Sequence, residues 1–533
     1  MTTEAIIVLM FVVASVVAIG ARRFHVPYTV ILVPVGLVLS GLHALNPPQL
    51  TRDMLFMVFL PGLIFEAAFN IRLESLWRDR VAVLSLAIPG VVLSIAVTAG
   101  LLVLAGREIH GLSTIGWGLA LVFGASVAAT DPISVVALFR ELGTPRRLTL
   151  LIEGESLLND GTSIVFFTLI LSMVMGESAS AGGLALDFLR EVGGGVLLGG
   201  IVGLLISQAV RQIDDAMVEV MLMTVAAYGA FLSAYQLGFS GVISTVAAGL
   251  VCGNYGARTG MSPTTRIAVH TFWQYLGFAL NSLVFLLMGF EIRLDTLLAA
   301  WPIVVVAYVA VTLARGIVIY GVSGLTSLRR ARIPQAWNWI LIWGGLRGAL
   351  SMVLALSIPK ELPLRDVIVN TVFGVVLLSI LLQGLSMTWL TRKLGIVGDR
   401  ATSAMREVEI ARVRRALAAS VLAEIEGLKV NHFVPGEAVD TVEAEYRERA
   451  EQADQALQRM DIDTALLRRR QTKEIRRRML LFERTQLIES RRLGTMNDDT
   501  FNRLLGDIDA RLLEIDTDDE ADDRADEAQP DAR

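Results

Sequence analysis

The chain has 533 residues, 54% of them apolar and 19% charged, with a mean hydropathy of +0.59. A soluble chain carries about a quarter charged residues. Here the charges gather in short connections and in the last quarter of the sequence, which excludes one soluble globule and leaves a polytopic membrane protein followed by a soluble segment. The net charge of -5 averages those two parts and identifies no partner; nothing points to nucleic acid. A lone Cys252 excludes an intrachain disulfide and a cysteine-rich metal site. His25, His43, His110, His270 and His432 lack ligand spacing, which argues against a zinc or di-metal enzyme.

A spanning helix needs roughly 20 mainly apolar residues, and about 13 such runs can be read along the chain. They cover 4–21, 28–45, 53–70, 81–105, 113–139, 147–176, 185–210, 216–236, 239–254, 267–291, 295–325, 334–359 and 366–391. The first run has neither a basic region before it nor a small-residue cleavage site after it, so it reads as a retained span rather than a signal peptide. With the N-terminus outside, the connections that should be cytoplasmic hold 14 basic residues, among them Arg22, Arg78, Arg140, Arg147 and Arg330, against 6 on the opposite side. That asymmetry is the one expected of cytoplasmic loops, and an odd number of spans also puts the C-terminal segment in the cytoplasm.

Three regions follow: a membrane domain over 1–396, a helical cytoplasmic region over 397–515 and an acidic tail over 516–533 expected to be disordered. Residues 405–426 read as an amphipathic helix, 438–492 as charged and helix-favouring, and 497–515 as a final helix. Arg468, Arg469, Arg470, Arg476, Arg477 and Arg478 form two basic clusters, read either as a solvated helical face or as a contact with anionic lipid. No phosphate-binding glycine loop occurs in the tail.

Ionisable groups inside spans are costly and mark function by default. They are Glu66 in the third span, Asp131 in the fifth, Glu153, Glu155 and Asp160 in the sixth, Arg315 in the eleventh and Arg347 in the twelfth. The fifth span reads Ala128-Ala129-Thr130-Asp131-Pro132-Ile133-Ser134. Pro132 lacks an N–H and its ring clashes with the carbonyl four residues back. A helix broken at membrane depth is tolerated where protein or a water-filled cavity lines the break, and freed carbonyls beside Asp131 can bind a cation. A plain proline kink with Asp131 as its cap is the simpler alternative.

The sixth span carries Glu153-Gly154-Glu155-Ser156-Leu157-Leu158-Asn159-Asp160-Gly161-Thr162. Helical spacing stacks Glu155 on Asn159 and Ser156 on Asp160, one polar stripe on an apolar helix. Asp160 can ligate a hard cation through oxygen, with the Ser156 hydroxyl one turn away, or it can hold a proton. A carboxylate that takes either is an exchange device; a polar helix–helix contact is the alternative, and the better one for Asn159. Glu155 needs a cation, with Arg315 the first choice and Arg347 the second. The twelfth span, Trp343-Gly344-Gly345-Leu346-Arg347-Gly348-Ala349-Leu350, reads as a second broken helix whose C-terminal end lies near Arg347. Interrupted helices in matching halves point to a transport site.

At these residues the chain resembles the monovalent cation/proton antiporter family, which includes bacterial sodium/proton antiporters and animal sodium/proton exchangers. The matching stretches are Leu60-Pro61-Gly62-Leu63-Ile64-Phe65-Glu66, Thr130-Asp131-Pro132, the sixth-span run from Glu153 to Asp160, Asn281-Ser282 with Phe285 and Gly289, and Gly344-Gly345-Leu346-Arg347-Gly348. Gly62 stands where many relatives have a second proline. The resemblance implies an all-α fold of 13 transmembrane helices in two inverted six-helix repeats with crossed broken helices. It also implies a homodimer and elevator-like movement of a core made of spans four to six and eleven to thirteen. The ligands it implies for the cation are Asp160, Asp131, Ser156, the Thr130 carbonyl and Glu66; the Asn159-Asp160 pair resembles the electroneutral branch. The tail looks like that of a bacterial subgroup with a helical cytoplasmic extension.

The expected activity is exchange of Na+, with Li+ or K+ left open, for H+ across the cell membrane, serving pH, sodium and volume homeostasis, with no resident cofactor. A K+/H+ antiporter of the same fold and a cation channel are the alternatives. An intramembrane aspartyl protease would need Tyr-Asp and Gly-x-Gly-Asp contexts, which Thr-Asp-Pro and Asn-Asp-Gly do not supply.

Overall fold

The computed structural model describes residues 3–24, 27–42, 51–107, 116–176, 181–213, 215–257, 260–327, 333–396, 400–430, 436–459 and scattered positions between 476 and 511. No strand occurs among the described residues. The chain divides into two compact units, Met1–Gly398 and Asp399–Arg533.

In the first unit the longer described helices are α1 (Thr3–Phe24), α2 (Tyr28–Gly41), α3 (Arg52–Asn70), α4 (Arg80–Ala105), α5 (Trp117–Ser126), α6 (Ile133–Leu142), α7 (Arg146–Val174), α8 (Ala181–Val210), α9 (Ala216–Gln236), α10 (Gly241–Val251), α11 (Pro263–Glu291), α12 (Trp301–Ser327), α13 (Gln335–Trp343), α14 (Ala349–Leu356) and α15 (Arg365–Lys393). Eight of the described helices are long and apolar enough to cross a membrane: α3, α4, α7, α8, α9, α11, α12 and α15. Their exposed faces are apolar, as on α8, where Leu186, Leu189, Leu197 and Leu205 are each more than half exposed. In water such a face would be a liability; facing lipid it is the ordinary surface. This is an integral membrane protein.

Two expected spans are each split. The fifth becomes α5 and α6, separated by an extended stretch that ends at Pro132; the twelfth becomes α13 and α14, separated by Gly344 to Gly348. Other helices are distorted without being broken. In α3 a π-helical turn at Leu55–Phe59 precedes Pro61, with the Leu60 N–H donating to the Leu55 carbonyl five residues back. Gly62 leaves the α3 helix intact, and a side chain there would run into Leu280 of α11. A second π turn, Ser379–Gly384, lies in the middle of α15.

The packing sorts these helices into two groups. α2 lies along α11, α3 packs on α10, and α8, α9 and α10 pack together. In the other group α4 packs on α5 and α12, α7 on α5, and α14 on α15. Phe65, Phe231 and Trp273 fill the first group and Phe139, Leu148 and Leu151 the second, all essentially fully buried.

In the second unit, α16 (Arg400–Val430) and α17 (Gly436–Arg459) pack side by side, joined by Arg415 to Asp454 at 3.0 Å. The amphipathic stretch at 405–426 falls inside α16. Most of 460–499, including the basic clusters apart from Arg476, and all of 516–533 lie outside the described residues; the described positions in 500–511 are helical.

Candidate functional site

The two helix breaks meet inside the second group. The extended backbone at Asp131 donates its N–H to the Leu346 carbonyl at 2.7 Å, so each interruption satisfies part of the other. The orphan carbonyls at the end of a half-helix must find donors when they are buried, and here each end is closed by one arginine. Arg347 Nη1 donates to the Ala128 and Ala129 carbonyls at 2.8 and 3.2 Å, beyond the end of α5. Arg315 Nε donates to the Leu341 carbonyl near the end of α13 at 3.0 Å. Both guanidinium groups are buried and each faces the negative end of a helix dipole. Gly345 and Gly348 make the crossing possible, because a β-carbon at 345 would strike the Arg315 guanidinium and one at 348 the Asp131 carboxyl group.

Glu155 is nearly fully buried and forms a two-pronged pair with Arg315, Nη1 to Oε1 at 2.9 Å and Nη2 to Oε2 at 2.8 Å. Arg347 takes no part in that pair: its direction is set by the α5 carbonyls, and its own N–H is held by Ser379 Oγ at 3.1 Å.

A cavity of about 570 Å³ opens between the two helix groups. Thr130, Asp131, Ser156 and Asp160 line it, together with Glu66 and Asn70 of α3 and the exposed Arg140 with Glu153. Glu153, Ser156, Leu157 and Asp160 are the α7 contribution, the i, i+3, i+4, i+7 face of a helix. The Ser156 hydroxyl donates to the Thr130 carbonyl at 2.5 Å and so fixes the break against α7. Asp131 Oδ1 accepts the Ile133 N–H at 3.1 Å, a cap on the first turn of α6. Glu66 Oε1 accepts from Asn70 Nδ2 at 2.8 Å. Asp160 makes no hydrogen bond or ion pair among the described residues, and its side chain faces the cavity.

Asn159 differs from its neighbour. It is buried and does not line the cavity; Nδ2 reaches the Ala128 carbonyl at 3.2 Å and Thr130 Oγ1 at 3.0 Å, and Oδ1 accepts from Ser163 Oγ at 2.5 Å. Its amide therefore braces the break from behind. Sequence reasoning missed several supports. Ser163 was visible as the residue one helical turn beyond Asn159, and Arg140 as i+7 from Ile133 on the cavity face of α6. Ser379, on α15, and Ser351, whose hydroxyl lies 3.4 Å from the Ala129 carbonyl, carry no such spacing signal. Asn281 of α11 lines the cavity, with Oδ1 buried and without a hydrogen-bond partner among the described residues.

Residues 7–393 match the family described as "Sodium/hydrogen exchanger, transmembrane". The chain belongs to that family. It is 41% identical over 391 residues to the Na(+)/H(+) antiporter ApNhaP of Aphanothece halophytica, covering 73% of this chain and 74% of that one. It is 33% identical over 525 residues to the Na(+)/H(+) antiporter NhaS2 of Synechocystis, covering 96% and 94%, so that likeness extends through the second unit. In fold it matches the sodium proton antiporter MjNhaP1 of Methanocaldococcus jannaschii, with a TM-score of 0.59 at 20% identity over 74% of this exchanger-family chain and 98% of that one.

Proposed function

We propose that this protein is a secondary active antiporter that exchanges Na+ for H+, with the two ions competing for Asp160. The observation that carries the reading is the inequality of the carboxylates in and behind the cavity wall. Glu155 is bound to Arg315, Glu153 to Arg140, Glu66 to Asn70, and Asp131 to the start of α6. Asp160 alone among these faces the cavity without a protein partner. A carboxylate in that setting must take its compensating charge from what enters the cavity. Na+ would find Asp160, Asp131, the Ser156 hydroxyl and the Thr130 carbonyl around it, all hard oxygen donors suited to such a cation, with Glu66 also lining the cavity. The names of the relatives, antiporters of Na+ and H+, agree with this.

The remaining features belong to the same reading. Counting each split helix as one crossing, and α1, α2 and α10 as spans, gives 13 passes with the breaks in the fifth and twelfth, the positions that two inverted six-helix repeats would give them. The N-terminus then lies outside and the second unit in the cytoplasm. The group holding α4 to α7 and α12 to α15 would be the moving core, carrying one cation one way or one proton the other without net charge. α8, with its apolar exposed face, would lie in or near a homodimer contact.

The test is proton flux in proteoliposomes driven by each of Na+, Li+ and K+, with and without an imposed potential. Wild type should show cation-driven flux indifferent to potential, with an apparent KM for the cation that rises as pH falls. Asp160→Asn should show none while remaining folded; normal coupled exchange by that variant would sink the assignment.

A further inference from the structure

The Arg140–Glu153 pair is not used by the exchange scheme, and in the sequence Arg140 is absorbed as one more cytoplasmic arginine. The structure gives it a more particular place. Arg140 Nη2 lies 3.0 Å from Glu153 Oε1, with the two side chains 59% and 24% exposed. Both belong to the cavity wall that also holds Asp131 and Asp160. Arg140 sits two turns into α6 on the face of Ile133 and Val136; Glu153 sits seven residues before Asp160 on the same face of α7. At the helical rise that separation is about 10 Å along the axis, about one Debye length at moderate salt, and fields in a cleft with low-dielectric walls reach further than in free solution.

Resting on the antiport reading, we propose that Arg140 and Glu153 are affinity-setting residues for the transported cation. Glu153 raises the local concentration of cations in the cavity, and Arg140, held on that carboxylate, offsets it. The paired charges sum to zero, so the apparent affinity is a balance that either partner can tip. Arg140→Gln leaves an uncompensated carboxylate and favours the cation; Glu153→Gln leaves an uncompensated guanidinium and repels it. One unit charge about 10 Å away, at an effective dielectric between 20 and 40, changes a binding constant roughly fourfold to fifteenfold. As a half-exposed ion pair it contributes little to folding, so both variants should fold.

The experiment is binding of 22Na+ to the purified full-length protein in lipid nanodiscs, by scintillation proximity, with thermal unfolding measured alongside. Arg140→Gln should tighten binding roughly fourfold or more, Glu153→Gln should weaken it by a similar factor, and the double variant and Arg140→Lys should lie near wild type. A pair with only a structural role would lower the unfolding temperature in both single variants and move binding in one common direction or not at all, and that result would overturn the proposal. Wild-type protein whose 22Na+ is not displaced by protons would instead sink the antiport reading itself. Proton-displaceable binding with unmoved single variants would remove the affinity role alone.

Discussion

Replacing Glu155 by Ala tests the division between scaffold and site. Glu155 and Arg315 are 3% and 10% exposed as side chains and share two hydrogen bonds of 2.9 and 2.8 Å. Removing one member of a buried pair leaves the other charge without compensation, which costs about 3–5 kcal/mol. Arg315 would retain its bond to the Leu341 carbonyl, a charge-assisted contact worth about 1.5–3 kcal/mol net, but that neutralises nothing. The expected result is a fall in unfolding temperature of roughly 5–15 °C, with an apparent cation KM in the surviving protein within about twofold of wild type, since Glu155 does not line the cavity.

The double variant Glu155→Leu with Arg315→Met separates charge from shape. Replacing both members of a buried pair by apolar groups is often neutral or stabilising, but here the Leu341 carbonyl loses its donor, a deficit of about 1–3 kcal/mol. The double variant should therefore unfold above the single Glu155→Ala variant and below wild type, measured by thermal shift in detergent. A Glu155→Ala protein with wild-type unfolding temperature and a tenfold change in KM would refute this reasoning and move Glu155 into the transport site.

Gly348→Ala places a β-carbon against the Asp131 carboxyl group and should raise the apparent cation KM several-fold in flux assays, with a smaller effect on unfolding temperature than Glu155→Ala. Arg347→Met removes the donor to two buried carbonyls and should lower the unfolding temperature by an amount comparable with Glu155→Ala, read by thermal shift. Thr29 of α2 and Ser134 of α6 share a hydrogen bond of 2.5 Å between the two helix groups. In a background with the buried Cys252 replaced by Ala, oxidising Thr29→Cys with Ser134→Cys should stop exchange and reduction should restore it; exchange unaffected by the crosslink would count against movement of the core.

The helices were legible because hydropathy alone decides which runs can be apolar throughout, and the expected runs fall within a few residues of the helices α1 to α15. Both breaks were legible as well, one from Pro132 and one from the glycines between Trp343 and Ala349. What joins them was not. The bond from Asp131 N–H to the Leu346 carbonyl links residues 215 positions apart and uses only backbone, which every residue possesses. The choice between Arg315 and Arg347 as partner of Glu155 was open for a similar reason: each is a lone arginine in an apolar span. It is decided by carbonyls and by the gap that Gly345 leaves beside Arg315, neither of which has a sequence pattern. Asn159 read as part of the same polar stripe as Asp160. Neighbouring columns on a helix diverge by one position's rotation, about 100°, and here that rotation takes Asn159 out of the cavity wall and leaves Asp160 in it.

Two broken helices demand buried donors for their carbonyl ends, and two arginines supply them. Of the five carboxylates named above on α3, on α7 and just before α6, two are paired with arginines, two accept only from neutral donors, and Asp160 has no protein partner among the described residues. If Asp160 enters the bilayer interior as an uncompensated anion, the penalty is several kcal/mol, and at 1.4 kcal/mol per decade an empty crossing becomes about a thousandfold rarer for each 4 kcal/mol. A bound Na+ or a bound proton removes the same single charge, so either load permits the crossing and neither alters the net charge moved. On the proposed reading, obligatory exchange then needs no separate gate: it follows from leaving one carboxylate of the cavity wall, Asp160, without a protein partner of its own.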